Sequence, residues 1–194
     1  MVSTYERTVD ALDLRGNVLG VVADVTDWIG EYSSLTEEAS RNTFFSKLNN
    51  AFIDSIRDLF PMVERIALFV PLGDGLNLAI QFSARFTPRR QNTLRLAISR
   101  SAAGHAYKTG TTYFSTNVKT EPNSIYQPFP DSQPISTLLC VPIKAFNAIY
   151  GVLSMDSVSP AAIDSDIVEL VETLCGIIAL AWALHSAGKT GGTK

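Results

Sequence analysis

Residues 138–156 read LLCVPIKAFNAIYGVLSMD, two apolar segments joined by a short turn. The first segment, which ends at Ile143, is a continuous apolar run of strand length, and its β-branched residues favour a strand buried on both faces. Asn147 is the turn residue best able to take a left-handed conformation. Gly151 interrupts the second segment, where a glycine indicates a bulge or the close approach of another backbone. The stretch therefore predicts a buried β-hairpin.

A long apolar helix is predicted after this hairpin, over about residues 165–185. Pro160 and Asp164 precede its start, and Asp166 lies in its first turn, where an acidic residue is favourable. Apolar residues form two stripes on this helix, so two partners are needed to cover it. One partner is the sheet. The other is either the first helix of the same chain or the matching helix of a second chain.

The first 60 residues predict two helices. Val18, Val25 and Tyr32 recur at helical spacing in the first helix. The Ser-x-x-Glu pattern of residues 34–37 is a capping box, which predicts the start of the second helix. We divide the chain into an N-terminal helical extension (1–35), one α/β domain (36–187) and a disordered tail (188–194).

Alternation of apolar and polar residues predicts strands in the middle of the chain. The clearest case covers residues 76–86, where one face of the strand is expected to be buried and the other wet. Residues 88–92 form a predicted polar loop, and residues 93–99 a further strand.

Residues 117–133 differ from the rest because they contain three prolines and no periodic pattern. They also include Ile125, Tyr126 and Phe129, which a loop that faces only water has little reason to keep. Long ordered loops tend to be lids or binding loops. We therefore predict a lid over a ligand pocket, with lower local stability than the sheet; the alternative is a loop that these residues merely attach to the core.

Four pieces of the sequence together resemble the GAF domain family over residues 39–185. They are GHAYKTG (104–110), LCVPI (139–143), YGVLSMD (150–156) and the Asp-x-x-x-Leu start of the last helix. The resemblance implies an antiparallel sheet with the N- and C-terminal helices on one face and a loop-covered pocket on the other. It also implies a sensory domain that binds a small molecule.

The residues depart from three better-known activities of that family. Members that bind cyclic nucleotides carry an Asp-Glu pair, whereas Asp166 is followed here by Ile167. Bilin-binding members use a cysteine commonly followed by histidine, whereas Cys140 is followed by Val141. Reductases of free methionine sulfoxide use several clustered cysteines, and this chain has only Cys140 and Cys175. We expect no cofactor, and we expect both thiols to be inert core residues.

Charge divides the chain into a basic middle and an acidic remainder. Residues 75–120 contain seven Lys and Arg and no Asp or Glu, although the net charge of the chain is −3. The planar donors of arginine suit carboxylate or phosphate, which favours an anionic ligand or an acidic partner. The alternative is that these arginines pair with carboxylates of the helices. Nucleic acid is not expected, because the net charge is negative, and the two histidines, 80 residues apart, have no metal-binding spacing.

These patterns predict a non-enzymatic sensory domain that binds a small cytoplasmic molecule and signals through a homodimer. The dimer is expected to form through the terminal helices, with Trp28 and Trp182 near its seam and an intramolecular packing as the alternative. A signalling protein is a further expected partner. The alternative functions are a dimerisation or protein-docking module without a ligand and, third, an enzyme of the sulfoxide reductase type.

No apolar run reaches the roughly 18 residues of a membrane helix, so no membrane contact is expected. The few cysteines favour a reducing cytoplasm. A short helix is predicted over residues 101–110, where Gly110 ends it. The candidate ligand-binding residues on or near the predicted strands, this helix and the lid are Phe69, Phe82, Arg100, Tyr107, Phe114, Asn117, Tyr126, Phe129 and Ser136.

Overall fold

The computed structural model describes residues 4–121, 125–126 and 134–190. The helices and strands follow one another along the chain in this order: α1 (Thr4–Ser34), α2 (Glu38–Leu59), β1 (Arg65–Pro71), β2 (Asn77–Ala84), α3 (Pro88–Thr93), β3 (Arg95–Ala97), α4 (Ala102–Thr109), β4 (Tyr113–Ser115), β5 (Thr137–Ala145), β6 (Ala148–Ser157) and α5 (Ser165–Thr190). The predicted α/β class is confirmed.

The strands form one six-stranded sheet in the order β3-β2-β1-β6-β5-β4. Every neighbouring pair is antiparallel, as expected. β5 and β6 form the predicted hairpin, which pairs from Thr137 with Ser157 to Ala145 with Ala148. β1 and the hairpin together make the apolar centre of the sheet, because their side chains are covered on both faces.

The hairpin turn differs from the prediction in one residue. Phe146 takes the left-handed conformation, with φ of 54°, and Asn147 does not. Its side chain is 88% exposed, so nothing in the core holds the ring. A bulky residue is seldom found in this conformation.

Gly151 makes the close backbone approach that its position in the strand indicates. A Cβ atom at this residue would lie 2.5 Å from the carbonyl oxygen of Phe69 on β1. The pairing of β5 with β6 also shifts register next to it, between Ile143 and Lys144. Both expected explanations for this glycine therefore apply, a bulge and a close contact.

Helices α2 and α5 cover one face of the sheet, which we call the helix face, and α1 packs over these two helices. Leu139, Val141 and Ile143 of β5 share one core there with Leu174 and Ile178 of α5. The other face, called the cavity face, carries α3, α4 and the loops around them. α3 replaces the predicted polar loop because Thr87 caps it, by accepting a hydrogen bond from the Arg90 backbone N–H, and because Pro88 suits a first helical turn.

An aromatic cluster joins the three helices of the helix face. The His185 ring of α5 stacks on Phe45 of α2 at 3.9 Å between centroids. Its Nδ1 atom lies 2.9 Å from the Tyr32 hydroxyl of α1. Tyr32 is buried, and burial raises the pKa of its phenol. The second stripe of α5 is thus covered by α1 and α2 of the same chain.

Trp182 belongs to this intramolecular core and not to a surface seam. Only 6% of it is exposed, and its indole N–H donates to Asn49 Oδ1 at 2.8 Å. Trp28 is half-buried against the same core. Trp182 is therefore covered without a second chain, as in the intramolecular alternative, because α2 packs against it.

We expect Asn49→Ala to lower the free energy of unfolding by about 2–4 kcal/mol. The substitution leaves a cavity and deprives the buried indole N–H of its acceptor. Asn49 also donates to the Phe45 carbonyl oxygen. Asn50→Ala, at the exposed next position of α2, is the matched control and should change stability by less than about 0.5 kcal/mol. Equal urea midpoints for the two variants would contradict this role of Asn49.

The second helix begins without the predicted capping box. Ser34 is the last residue of α1, and its hydroxyl donates back to the Glu31 carbonyl oxygen. Glu37 is the N-cap of α2 and makes no side-chain cap hydrogen bond. The capping-box prediction is wrong because Ser34 still belongs to the preceding helix.

Helix α5 is longer than the sequence patterns indicated. Its stretch Ser165–Gly188 could cross a membrane by length and composition, because an 18-residue window within it has a mean hydropathy of 2.0. However, 44% of this window is buried in the fold, and core helices pass the same test. The expected lack of membrane contact stays a prediction. α5 continues to Thr190, so the first residues of the predicted tail are helical, whereas residues 191–194 lie outside the described residues.

Candidate functional site

A cavity of about 350 Å³ lies on the cavity face, between the sheet and the α3–β3–α4 segment. Its floor consists of Phe69 on β1, Leu138 and Cys140 on β5, and Ser154 and Asp156 on β6. Cavities of this size, largely apolar with a few converging polar groups, are typical of sites for small molecules.

Strand alternation explains why polar residues of an apolar strand reach this floor. On β6, Ser154 and Asp156 line the cavity, whereas Leu153 and Met155 belong to the core of the helix face. Successive side chains of a strand point to opposite faces. The same strand therefore contributes to the core and to the candidate site at once.

The wall of the cavity is formed by α3, β3 and the first turn of α4. Ser101 caps α4 through its hydroxyl, which accepts from the Gly104 backbone N–H at 3.0 Å. Gly104 allows this turn to lie directly against the backbone that follows β3, since a Cβ atom there would be 2.4 Å from the Ile98 carbonyl oxygen. Because the turn lies so close, even the small side chain of Ala103 lines the cavity.

An ion pair closes one end of the floor. Arg65 Nε donates to the two carboxylate oxygens of Asp156, at 2.9 and 3.1 Å. Burial raises the pKa of the Asp156 carboxyl above its ordinary value, and the Arg65 charge opposes this shift. The Arg65 guanidinium also lies 5.7 Å from the Phe86 ring centroid, within reach of a cation–π contact. The positive charge of Arg90 acts on Asp156 in the same direction as Arg65.

Among the described residues, Arg85, Arg95 and Arg100 of the basic stretch 75–120 form no ion pair with a helix carboxylate, which was the alternative to an anionic ligand. Arg85 donates to the Val63 carbonyl oxygen, and Arg95 to that of Leu94. Arg100 has no carboxylate within ion-pair distance in the part of the chain that the structure describes. Arg95 and Arg100 are both exposed, and both line the cavity.

The two thiols are buried, as expected from their apolar surroundings. Burial raises the pKa of Cys140 to about 12, although its Sγ atom lies 3.6 Å from the Ser154 hydroxyl at the cavity floor. Burial also raises the pKa of Cys175 in α5. Since the thiolate is the reactive form, neither group is prepared for nucleophilic chemistry.

Three of the predicted ligand-binding residues meet at this cavity, namely Phe69, Arg100 and Tyr126. Phe82 and Phe114 pack instead in the core of the helix face. Phe82 lies there because the pairing of β1 with β2 shifts register. Leu68 of β1 pairs with Phe82, whereas the next residue, Phe69, pairs with Ile80, so β2 has one extra residue between these pairs. The extra residue of β2 turns its following side chains to the other face.

The remaining predicted residues lie beside the cavity or outside the described residues. Tyr107 is half-buried and packs against the core of the cavity face. Asn117 accepts a hydrogen bond from the Lys119 backbone N–H, and the Ser136 hydroxyl accepts one from Lys119 Nζ. Phe129 lies outside the described residues, so its part in the site stays a prediction.

The predicted lid is described only in part. Residues 117–121 and 125–126 are described, and residues 122–124 and 127–133 are not. Ile125 and Tyr126 pack against the core of the cavity face. The lower stability predicted for this segment stays a prediction.

Sequence reasoning missed Arg65, Ser154 and Asp156 as cavity residues. The signal was present in β6, where two polar residues occupy alternate positions of an otherwise apolar strand. A buried carboxylate at a strand end requires a cation nearby, which could have pointed to Arg65. Metal binding has no support here: among the described residues no group of three His, Cys, Asp or Glu could hold an ion.

A sequence model described as the GAF domain matches residues 47–183. No curated protein sequence matches the chain. The fold resembles the GAF domain of a phosphoenolpyruvate-protein phosphotransferase from Coxiella burnetii, with 14% identity and a TM-score of 0.71 over 90% of this chain and 97% of the other. The corresponding domain from Acinetobacter has 15% identity and a TM-score of 0.68 over 87% and 94%.

An enzyme is also among the similar structures. Free methionine-R-sulfoxide reductase from Neisseria meningitidis, in complex with its substrate, has 14% identity and a TM-score of 0.64. The match covers 84% of this chain and 88% of the reductase. At such identities the likeness concerns the fold alone.

Proposed function

Because the chain belongs to the GAF domain family, whose members are generally sensory or regulatory, we propose that it is a non-enzymatic sensory domain. It binds a small cytoplasmic molecule in the cavity of Phe69, Leu138 and Asp156 and signals through its helices. The observation that carries this proposal is the cavity itself, which combines a volume of about 350 Å³ with a largely apolar lining and a few charged groups.

Strands β1 and β5 each contribute side chains both to the cavity and to the core of the helix face, which supports a route by which ligand binding could reach the helices. Phe69 of β1 lines the cavity, whereas its neighbour Leu68 belongs to the core of the helix face. Cys140 and Val141 of β5 divide in the same way, and α5 packs over β5. A ligand that moves these strands therefore also moves the surface on which α5 rests. Packed cores transmit such shifts because they have few voids.

The buried thiols support a non-enzymatic role. The reductase alternative needs a reactive thiolate, whereas the pKa of Cys140 is raised to about 12 by burial. A thiol-dependent assay with free methionine sulfoxide tests this alternative directly. Turnover that disappears in Cys140→Ser would favour the enzyme.

Ligand binding can be tested with a variant that fills the cavity. Ser154 is half-buried on the floor, so Ser154→Phe introduces a ring into the cavity with little change to the strand. We expect at least one compound of a metabolite panel to raise the melting temperature of the natural protein and to have no effect on this variant. Equal responses of both proteins would place binding outside the cavity and contradict this site, whereas no response from either would leave a docking module without a ligand as the function.

We also propose that the domain dimerises through the exposed side of α1 and α5. Leu19 on α1 is 67% exposed, and Leu180 and Leu184, one helical turn apart on α5, are 46% and 41% exposed. Large apolar side chains in such a row are typical of interfaces. Helices from two chains that pack along these surfaces would form a bundle.

Leu180→Asp is expected to convert the dimer into a monomer without loss of fold. The carboxylate would be buried without a partner in the dimer but would lie in water in the monomer. Light scattering should show the mass fall to about that of one 21.1 kDa chain. Leu76→Asp, at a 69% exposed position next to the β1–β2 turn, is the control and should leave the dimer intact. A natural protein that is already monomeric at micromolar concentration contradicts the dimer.

A further inference from the structure

We infer that the cavity selects an organic anion with an apolar body and a single acidic group. This inference rests on the proposed function, since it names the ligand class of the same cavity. It follows from the distribution of charge and apolar surface around the cavity.

The cavity has an excess of positive charge. Among the described residues, four arginines, Arg65, Arg90, Arg95 and Arg100, line it, against one carboxylate, that of Asp156. A cationic ligand would meet this excess at close range, where repulsion between like charges is strong. A neutral ligand would leave the arginine donors without a new partner. An anion therefore gains most from this wall.

The arginines differ in what they already bind, which limits the ligand to one acidic group. Arg65 donates hydrogen bonds to the Asp156 carboxylate, and the positive charge of Arg90 also acts on that carboxylate. Arg95 donates one hydrogen bond to a backbone carbonyl, and Arg100 makes no side-chain hydrogen bond or ion pair with any described residue. Arg95 and Arg100 are thus the donors available to a ligand. Two such guanidinium groups suit one carboxylate or sulfonate.

Arg100 lies where an acidic group would enter. It lines the cavity and also a neighbouring open groove with Ser99, His105 and Lys108. Lys108 of this groove adds positive charge beside Arg100, and both side chains are exposed. The acidic group can therefore be held at the rim while the rest of the ligand lies deeper.

The deeper part of the cavity requires an apolar body. Phe69, Leu94, Leu96, Ile135 and Leu138 line it. Burial of apolar surface there contributes about 25 cal/mol per Å². Inorganic phosphate or a small hydrophilic acid would leave these side chains uncovered. Aromatic or branched aliphatic acids combine both requirements.

Two fluorescent probes with one aromatic body test the inference at fixed ionic strength. 8-Anilinonaphthalene-1-sulfonate carries a sulfonate, and N-phenyl-1-naphthylamine has the same rings without it. We expect Arg100→Gln to weaken binding of the sulfonate probe by about tenfold and to leave the neutral probe unchanged, because only the charged hydrogen bonds are lost. Arg89→Gln, at an exposed arginine of α3 that does not line the cavity, should change neither. Ser154→Phe should weaken both.

The outcomes separate this inference from the proposed function. If the neutral probe binds in the cavity and Arg100→Gln does not weaken the sulfonate probe, the inference is overturned and a sensor of neutral ligands remains. If Ser154→Phe affects neither probe, the probes bind elsewhere, which also overturns the inference. The metabolite panel then decides on the proposed function independently. The unfolding curve of Arg100→Gln, expected to match that of the natural protein, excludes a folding defect.

Discussion

Gly104→Ala is expected to destabilise the protein by about 3 kcal/mol and to abolish binding in the cavity. The added Cβ atom would lie 2.4 Å from the oxygen and 2.5 Å from the Cα atom of Ile98, and both are backbone atoms that cannot rotate away. Relief requires α4 to move away from the backbone after β3. Overpacking against fixed atoms costs about 1–3 kcal/mol, with larger values where nothing can relax. Urea unfolding measures the effect.

Gly20→Ala is the matched control for this substitution. Gly20 is helical like Gly104, but it is exposed, and nothing lies within 4 Å of a Cβ atom built there. Alanine is favoured over glycine in a helix by up to about 1 kcal/mol, so this variant should be equally or more stable than the natural protein. A Gly104→Ala protein as stable as Gly20→Ala would mean that α4 does not depend on this close approach.

Arg65→Met is expected to lower the free energy of unfolding by about 3 kcal/mol at pH 7. The substitution leaves the Asp156 carboxylate buried without its partner, and the loss of one member of a buried pair typically costs about 3–5 kcal/mol. Asp156→Asn in the same chain removes the unpaired charge. The double variant should therefore recover most of the stability lost in Arg65→Met.

The dependence on pH follows from the pKa of Asp156. Burial raises this pKa above the unfolded value, so the folded protein binds the proton more tightly than the unfolded chain. The stability from this group is fully present below the unfolded pKa of about 3.9 and is lost as pH rises through the folded pKa. Arg65→Met raises the folded pKa further and should lose much less stability at pH 4 than at pH 7. A loss independent of pH would show that packing of Arg65, and not its charge, is responsible.

The sequence patterns predicted the architecture because the hairpin and its covering helix follow simple periodicities. The apolar run that ends at Ile143 and the stripes of α5 both report which side chains must be buried. They do not report what covers them, so Trp182 was expected at a dimer seam, although Asn49 and Phe45 of α2 enclose it. Coverage is a property of the tertiary arrangement, which a single helix pattern does not contain.

The candidate site was harder to predict because one extra residue in a strand reverses every side chain after it. Phe82 continues the alternation of residues 76–86 in the sequence, yet the register shift of β2 turns it to the helix face. Ser154 and Asp156 were missed for a different reason: they lie inside an apolar segment, and such a segment predicts only a core strand. Contacts between distant strands, such as Arg65 with Asp156, depend on pairing register that no local pattern specifies.

The placement of Trp182 gives this protein an optical reporter of its own. The chain has two tryptophans, and both Trp28 and Trp182 belong to the helical layer, across the sheet from the cavity. A non-fluorescent ligand in the cavity touches neither indole, so a change in their emission can only report a rearrangement on the far side of the sheet. The Asn49 hydrogen bond makes Trp182 sensitive to any movement of α5 against α2. Tryptophan fluorescence can therefore follow the passage of a signal through this domain in real time and without a label.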